Sequence, residues 1–326
     1  MAEIATIFQL VQLGIEGAGT PGTAVPATKK LAALMIEPQI KSEIQKYRGT
    51  GFKFPAIASM AKEWVEADLS GPITYTEIIY LLNSIMNTDT PTAGTTDQTW
   101  EFNIDPDGAD TVTTYTIEWG DATRALEFAN GLVNALTLSF SRDACEVSGT
   151  MLGMAVTDAI TMTAGTTAVA LMPVIPTQVS VKVADTQAGL TAASALTRVV
   201  SAEWALSDRF NPAYFLDGST SWAAFVEAEP TLGVKLKMEK DAVGMGLLTN
   251  MRAGSTKFVR IQAIGSIITG AVPYTLTIDT ACKITGEPTF SDEDGVQCIE
   301  WDMEGFYDTT WTKATMITVI NAIATL

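Results

Sequence analysis

The stretch Trp64-Val-Glu-Ala-Asp-Leu-Ser-Gly71, followed by Thr74-Tyr-Thr-Glu77 and the apolar run that opens at Ile78, decides how the chain is read. Val65, Ala67 and Leu69 alternate with Glu66 and Asp68, the period-two pattern of a strand with one buried and one wet face. Thr74 and Glu77 have capping-box spacing, in which a hydroxyl and a carboxylate satisfy each other's orphan N–H groups. Ile73 and Ile78 stand where a hydrophobic staple closes. Apolar residues at 78, 79, 81, 82, 85 and 86 then keep helical spacing until Asn87. The spacing predicts a helix over 74–86, and its stripe needs a sheet to cover it.

The same alternation recurs outward from this segment. Tyr115-Ile117-Trp119, Leu136-Leu138-Phe140, Val179-Val181-Val183, Val234-Leu236-Met238, Tyr274-Leu276-Ile278 and Ile299-Trp301-Met303 each read as a strand. Asp105-Pro-Asp-Gly108, Asp217-Gly218 and Asp294-Gly295 supply turns between them. The fold class is mainly β, with a flanking helix. The order of elements also repeats: strand 64–69, helix 74–86 and strands near 99–104, 113–119 and 136–142 run parallel to strand 234–239, a helix near 241–252 and strands near 258–264, 274–279 and 296–304. The offset is roughly 160 to 170 residues, with Tyr115-Thr-Ile against Tyr274-Thr-Leu as the closest literal match, and this reads as a tandem duplication. The expected layout is an arm over 1–30, one β domain over 31–156, a linker over 157–178 and a second β domain over 179–326, which ends in an exposed apolar tail, Ile317–Leu326.

Composition removes most chemistry. The 326 residues include no histidine, so no Ser-His-Asp or Cys-His site and no His-ligated zinc is available. Cys145, Cys282 and Cys298 are too far apart in sequence for a CxxC pair or a thiolate set. A net charge of −17 argues against a chain that grips nucleic acid through a basic face. The N-terminus lacks the basic start of a signal peptide, and no run of 18 apolar residues occurs. Gly17-Ala-Gly-Thr-Pro-Gly22 fits GxGxxG formally, but prolines follow where a helix should open. Asp105–Asp110 and Asp292–Gly295 lack the alternating ligands of a calcium loop and read as acidic turns. No carboxylate pair can be set across a glycoside, and the seven tryptophans fall mostly on apolar faces. No enzyme, metal site or cofactor is expected.

One segment goes against the acidic background. Residues 41–62 hold five basic side chains, Lys41, Lys46, Arg48, Lys53 and Lys62, interleaved with Tyr47, Phe52, Phe54, Gly49 and Gly51. The alternatives are a solvated hairpin or a protruding arm that docks on an acidic neighbouring copy, where charge sets register and aromatics supply area.

A family resemblance enters through these residues. Glu16-Gly-Ala-Gly-Thr-Pro-Gly-Thr23, Met35-Ile-Glu-Pro38, Tyr47-Arg-Gly-Thr50, Trp64–Gly71 with its capped helix, Tyr115-Thr-Ile-Glu-Trp-Gly120 and Leu136-Thr-Leu-Ser-Phe-Ser-Arg142 are similar to elements of one family. So is the closing Asp294-Gly295 turn with Trp301 and Asp308. Together they resemble the tail tube (major tail) proteins of long-tailed, non-contractile bacteriophages. The resemblance implies β-sandwich units whose sheets join a barrel around a channel, in rings that stack into a tube. It implies an inter-ring stacking arm, carried here by Lys41, Lys46, Tyr47, Arg48, Phe52, Lys53 and Phe54, with the termini as further arms. The polar sides of the strands, Glu66, Asp68 and Glu118, are the candidates to face a channel through which DNA slides without specific binding. Two tube-like units per chain favour three chains in a six-fold-looking ring; six chains are needed if only one unit enters the barrel. Other copies of the chain, the tape measure and the tail terminator are the implied partners, and the virion tail, assembled in the host cytoplasm, is the implied location. Competing readings are another virion or secretion-system tube, the inner tube of a contractile tail, a carbohydrate-binding or hydrolytic β-protein, and a halophilic β-protein.

Overall fold

A computed structural model describes residues 8–87, 90–121 and 123–326. In the first half, strands β1 (Leu10–Ile15), β2 (Lys29–Lys30), β3 (Met35–Tyr47) and β4 (Ile57–Pro72) lead to helix α1 (Ile78–Ile85). After it come β5 (Thr92–Ala93), β6 (Gln98–Asn103), β7 (Tyr115–Gly120), β8 (Ala125–Ser141), β9 (Cys145–Gly153), β10 (Thr157–Ile160) and β11 (Thr167–Ala168). The second half runs β12 (Val179–Ala184), the single turn α2 (Gly189–Ala192), β13 (Val199–Ser207), β14 (Phe210–Ala213), β15 (Ala224–Glu227), β16 (Thr231–Glu239) and α3 (Ala242–Ala253). It closes with β17 (Lys257–Thr269), β18 (Val272–Ile284), β19 (Thr289–Glu293), β20 (Val296–Gly305) and β21 (Thr315–Asn321). The fold is mainly β, as the alternation predicts.

The halves are woven together. One antiparallel sheet runs β3-β4-β9-β8-β13-β16-β20-β19, four strands from each half, and its middle seam pairs Trp204 with Leu138 and Leu206 with Leu136. A second layer runs β12-β17-β18-β21-β6-β5, so β6 crosses into the second half. A third carries β11-β2-β1-β7 onto the first part of β8. Apolar side chains from the layers meet in one continuous core that includes Trp100, Trp204 and Trp301. Burial of these indoles, and of Trp222, places them in packing roles and away from any exposed sugar-binding platform.

The pairing pattern repeats between the halves. β1-β7-β8-β9-β4-β3 in the first is matched by β12-β17-β18-β20-β16-β13 in the second, with a helix after β4 and after β16. By this pattern β7 corresponds to β17 and β8 to β18, so the literal match of Tyr115-Thr-Ile with Tyr274-Thr-Leu is displaced by one strand. Three expected boundaries also change. Residues 10–15 are a sheet strand, and the glycine-rich stretch after them wraps the buried Glu16, which accepts from Gly22 N at 2.7 Å, Asn130 N at 2.7 Å and the hydroxyls of Thr114 and Thr116. The expected arm over 1–30 is therefore folded into the body wherever it is described. The expected linker is packed as well: Val174 N donates to Ile73 O, and Tyr75 N to Met172 O. The expected C-terminal arm is the strand β21, with Ile317 and Val319 buried between β18 and β6.

The helix start is half as predicted. Glu77 N donates to the Thr74 hydroxyl at 2.9 Å, but the Glu77 carboxylate turns away and accepts from Ala32 N at 2.5 Å, Ala33 N at 3.1 Å and Leu34 N at 2.9 Å. Regular α-helix begins only at Ile78, and every residue of α1 is buried, polar Asn83 and Ser84 included. Ser84 accepts from Val133 N of β8, and Asn83 Nδ2 donates to the Ile79 carbonyl, so both of these polar side chains are paired within a helix covered all round. Burial raises the Glu77 carboxyl pKa, and the three amides only partly oppose it. Glu77→Ala leaves those amides without their acceptor; it should cost about 2–4 kcal/mol, read as a lower denaturant midpoint at unchanged slope.

Candidate assembly surface

Beyond Trp64 the β3–β4 hairpin leaves the body. Residues 42–60 are exposed without interruption. The strands stay paired to Tyr47 and Ile57, Ala56 N donates to Tyr47 O, and the tip turns through Phe52 N to Gly49 O with Gly51 at φ +84. At Gly51 a side chain would be strained by the positive φ itself. An isolated two-stranded hairpin is marginal in water, yet this one carries Ile44, Tyr47, Phe52, Phe54, Ile57 and Met60 with no cover. Exposed apolar area of this density makes the hairpin the candidate interaction surface.

The expected arm residues all lie here. Lys46, Arg48, Lys53, Tyr47, Phe52 and Phe54 are exposed on the distal part, while Lys41 sits at the base, 3.8 Å from Glu66 and 3.0 Å from the Gln39 amide oxygen. The base is braced by the second half: Glu63 N donates to Thr220 O at 2.9 Å, and Lys62 lies 4.8 Å from the Tyr214 ring centre and 3.7 Å from Glu43.

The wet face of the eight-stranded sheet is the second feature. Glu66 and Asp68 lie on it, beside Lys41 and Gln39 of β3. Alternation puts Glu37, Glu146, Glu203, Glu300, Asp302 and Glu304 on the same face, with Lys235 and Lys237 as the opposing cations. Lys235 approaches Glu203 at 3.4 Å, and Lys237 pairs with Glu293. The face is acidic across both halves. None of Glu37, Glu146, Glu203, Glu300, Asp302 and Glu304 is among the sequence candidates, although the alternation of Ile299, Trp301 and Met303 marks the positions of the last three.

Glu118 does not belong to this surface. It is 2% exposed, beneath the segment that follows β10, and accepts from Ala27 N at 3.3 Å, Thr163 N at 2.7 Å and the Thr163 hydroxyl at 2.5 Å. Alternation marks it as polar-facing, but that face of β7 is covered by the chain's own crossing. The acidic turns act as turns: Asp105 N donates to Asp110 at 2.8 Å, and Gly295 N to Asp292 at 3.0 Å. Among the described residues no group of three His, Cys, Asp or Glu side chains could hold a metal.

No protein-family model matches the chain, and no curated protein matches it.

Proposed function

We propose that the protein is a structural subunit that assembles with copies of itself into stacked rings, as the tail tube proteins it resembles do, and that it makes no chemical change in a substrate. The observation that carries this reading is the continuously exposed, apolar and basic hairpin over 42–60 on an otherwise acidic chain. Such an arm has no use on a solitary molecule and is a hazard there. Inserted into the next ring, it buries its aromatic side chains while Lys46, Arg48 and Lys53 meet acidic groups of the neighbour. The eight-stranded sheet supplies a channel wall, and its acidic face repels the phosphate backbone, so that duplex DNA passes without being held. Three chains per ring suit the two similar halves. The virion tail is the place for such a tube, with tape-measure and terminator proteins as its companions.

Negative-stain electron microscopy over a series of protein and salt concentrations tests the reading. Stacked rings or hollow tubes are expected, shorter as salt rises because exposed charge pairs are screened over a Debye length of about 8 Å at physiological ionic strength. A monomer at every concentration and salt tested would remove the proposal.

A further inference from the structure

The eight-stranded sheet ends in two open edges. Among the described residues β3 pairs only with β4, and β19 only with β20. The sheet is also a repeat: β3-β4-β9-β8 is followed by β13-β16-β20-β19, and the two blocks meet where β8 pairs with β13. In the matched pattern β13 corresponds to β3. The hairpin strand β19, which pairs with β20, corresponds to the end of β8, which pairs with β9. The internal seam is thus a template for a seam between the two ends.

We infer that the open edges of β3 and β19 are the two sides of one antiparallel seam, formed head to tail between copies of this chain in the register that β13 and β8 use within it. The inference rests on the proposed self-assembly and names the surface that performs it. The register follows from the pairings. Met151 of β9 and Met303 of β20 lie opposite Ala67 and Val234, which lie opposite Pro38 and Trp204. Four residues before each methionine, Val147 and Ile299 lie opposite Leu138 and Phe290. Trp204 pairs with Leu138 inside the chain, so Pro38 pairs with Phe290 between chains.

Three observations favour this register. The Ala56 N–H bond to the Tyr47 carbonyl turns odd-numbered backbone groups of β3 toward β4, leaving Ile36 and Ile40 to offer theirs at the open side. The two-residue Asp294-Gly295 turn, with φ +51 and +82, closes the Glu293–Val296 pair, so Phe290 and Asp292 face outward likewise. Ile40 and Phe290, both more than half exposed, come onto one face and cover each other. Pro38 has no N–H to give, which leaves the seam one bond short of its template and blunts the edge against indiscriminate pairing. The connection that corresponds to 42–63 is 208–230. It runs past the internal seam and buries Phe210 and Trp222 against the first half, so the exposed arm stands where the adjoining copy arrives.

The test is cross-linking of the full chain by a short bis-maleimide. Gln39→Cys with Thr289→Cys, and Glu37→Cys with Ser291→Cys, put thiols opposite one another on the wet face at exposed positions, while Cys145, Cys282 and Cys298 are buried. Each double variant should link most of its chains into multimers that stop at the ring number, and each single variant should stay at one chain. Rings or tubes that form but link in neither pair would overturn the seam and leave self-assembly standing. Absence of both particles and links would overturn the two together.

Discussion

Reversing Lys46, Arg48 and Lys53 to glutamate should leave a folded subunit that no longer stacks. The three side chains lie within the uninterrupted exposed stretch 42–60 and make no ion pair among the described residues, so the fold loses nothing when they change. An unaltered melting temperature is therefore the first expected readout. Assembly is different. An exposed opposite-charge pair is worth about 0.2–1 kcal/mol and a like-charge pair costs a similar amount, so three reversals shift each arm by roughly 1–6 kcal/mol. Every arm in a ring suffers that shift at once. Tubes should give way to single rings or free chains by electron microscopy and sedimentation. Phe52→Ser with Phe54→Ser should do the same through lost apolar area, with no change in salt dependence. Tubes of ordinary length from both variants would show that the arm is not the inter-ring contact.

Different parts of this architecture were legible in the sequence to different degrees, for physical reasons. Alternation located the strands because side chains on a pleat must alternate, and a half-buried sheet records that in composition. It also marked which side of β4 is wet, and Glu66 and Asp68 are on that side. It failed at Glu118, since alternation says which residues share a face but not whether another segment, here Thr163 and its neighbours, lies over it. The tail escapes the alternation for a different reason. Ile317, Val319 and Asn321 are buried while Met316, Thr318 and Ile320 are half-buried, but the weaker contrast of this all-round apolar run hid the period. Glu77 completed a motif on paper. In the structure its carboxylate serves residues 32–34, because three converging amides, that of Leu34 buried, need an acceptor more than one orphan N–H at the helix start does. The repeat of pairings was visible only as a rough order of elements, since register lives in hydrogen bonds and not in the letters Tyr-Thr.

No local pattern announces Arg209, and its removal should cause the largest loss of stability. Arg209 is 1% exposed at the start of β14, and its guanidinium spans the halves. Nη2 donates to Asp110 at 2.6 Å, Nε donates to the carbonyl of Ile85 at the end of α1 at 2.9 Å, and Glu227 lies at 3.8 Å. None of the Asp110 side chain is exposed. Removing one partner of such a pair strands a buried charge, at about 3–5 kcal/mol. Arg209→Met keeps most of the volume and removes the ion pair together with the donor to the Ile85 carbonyl, two losses that pH separates. Burial already raises the Asp110 carboxyl pKa in the intact protein, and the Asp105 amide and Arg209 pull the other way. A carboxyl raised in the folded state favours folding below its unfolded pKa, near 3.9, and loses that contribution as pH rises through the folded value. Without the guanidinium the folded value climbs further and the loss with rising pH grows. The deficit of Arg209→Met should therefore be small near pH 4 and largest at pH 7, and a second change, Asp110→Asn, should recover part of it at pH 7. A deficit that is the same at both pH values would assign the loss to packing and to the Ile85 carbonyl, with the ion pair contributing nothing.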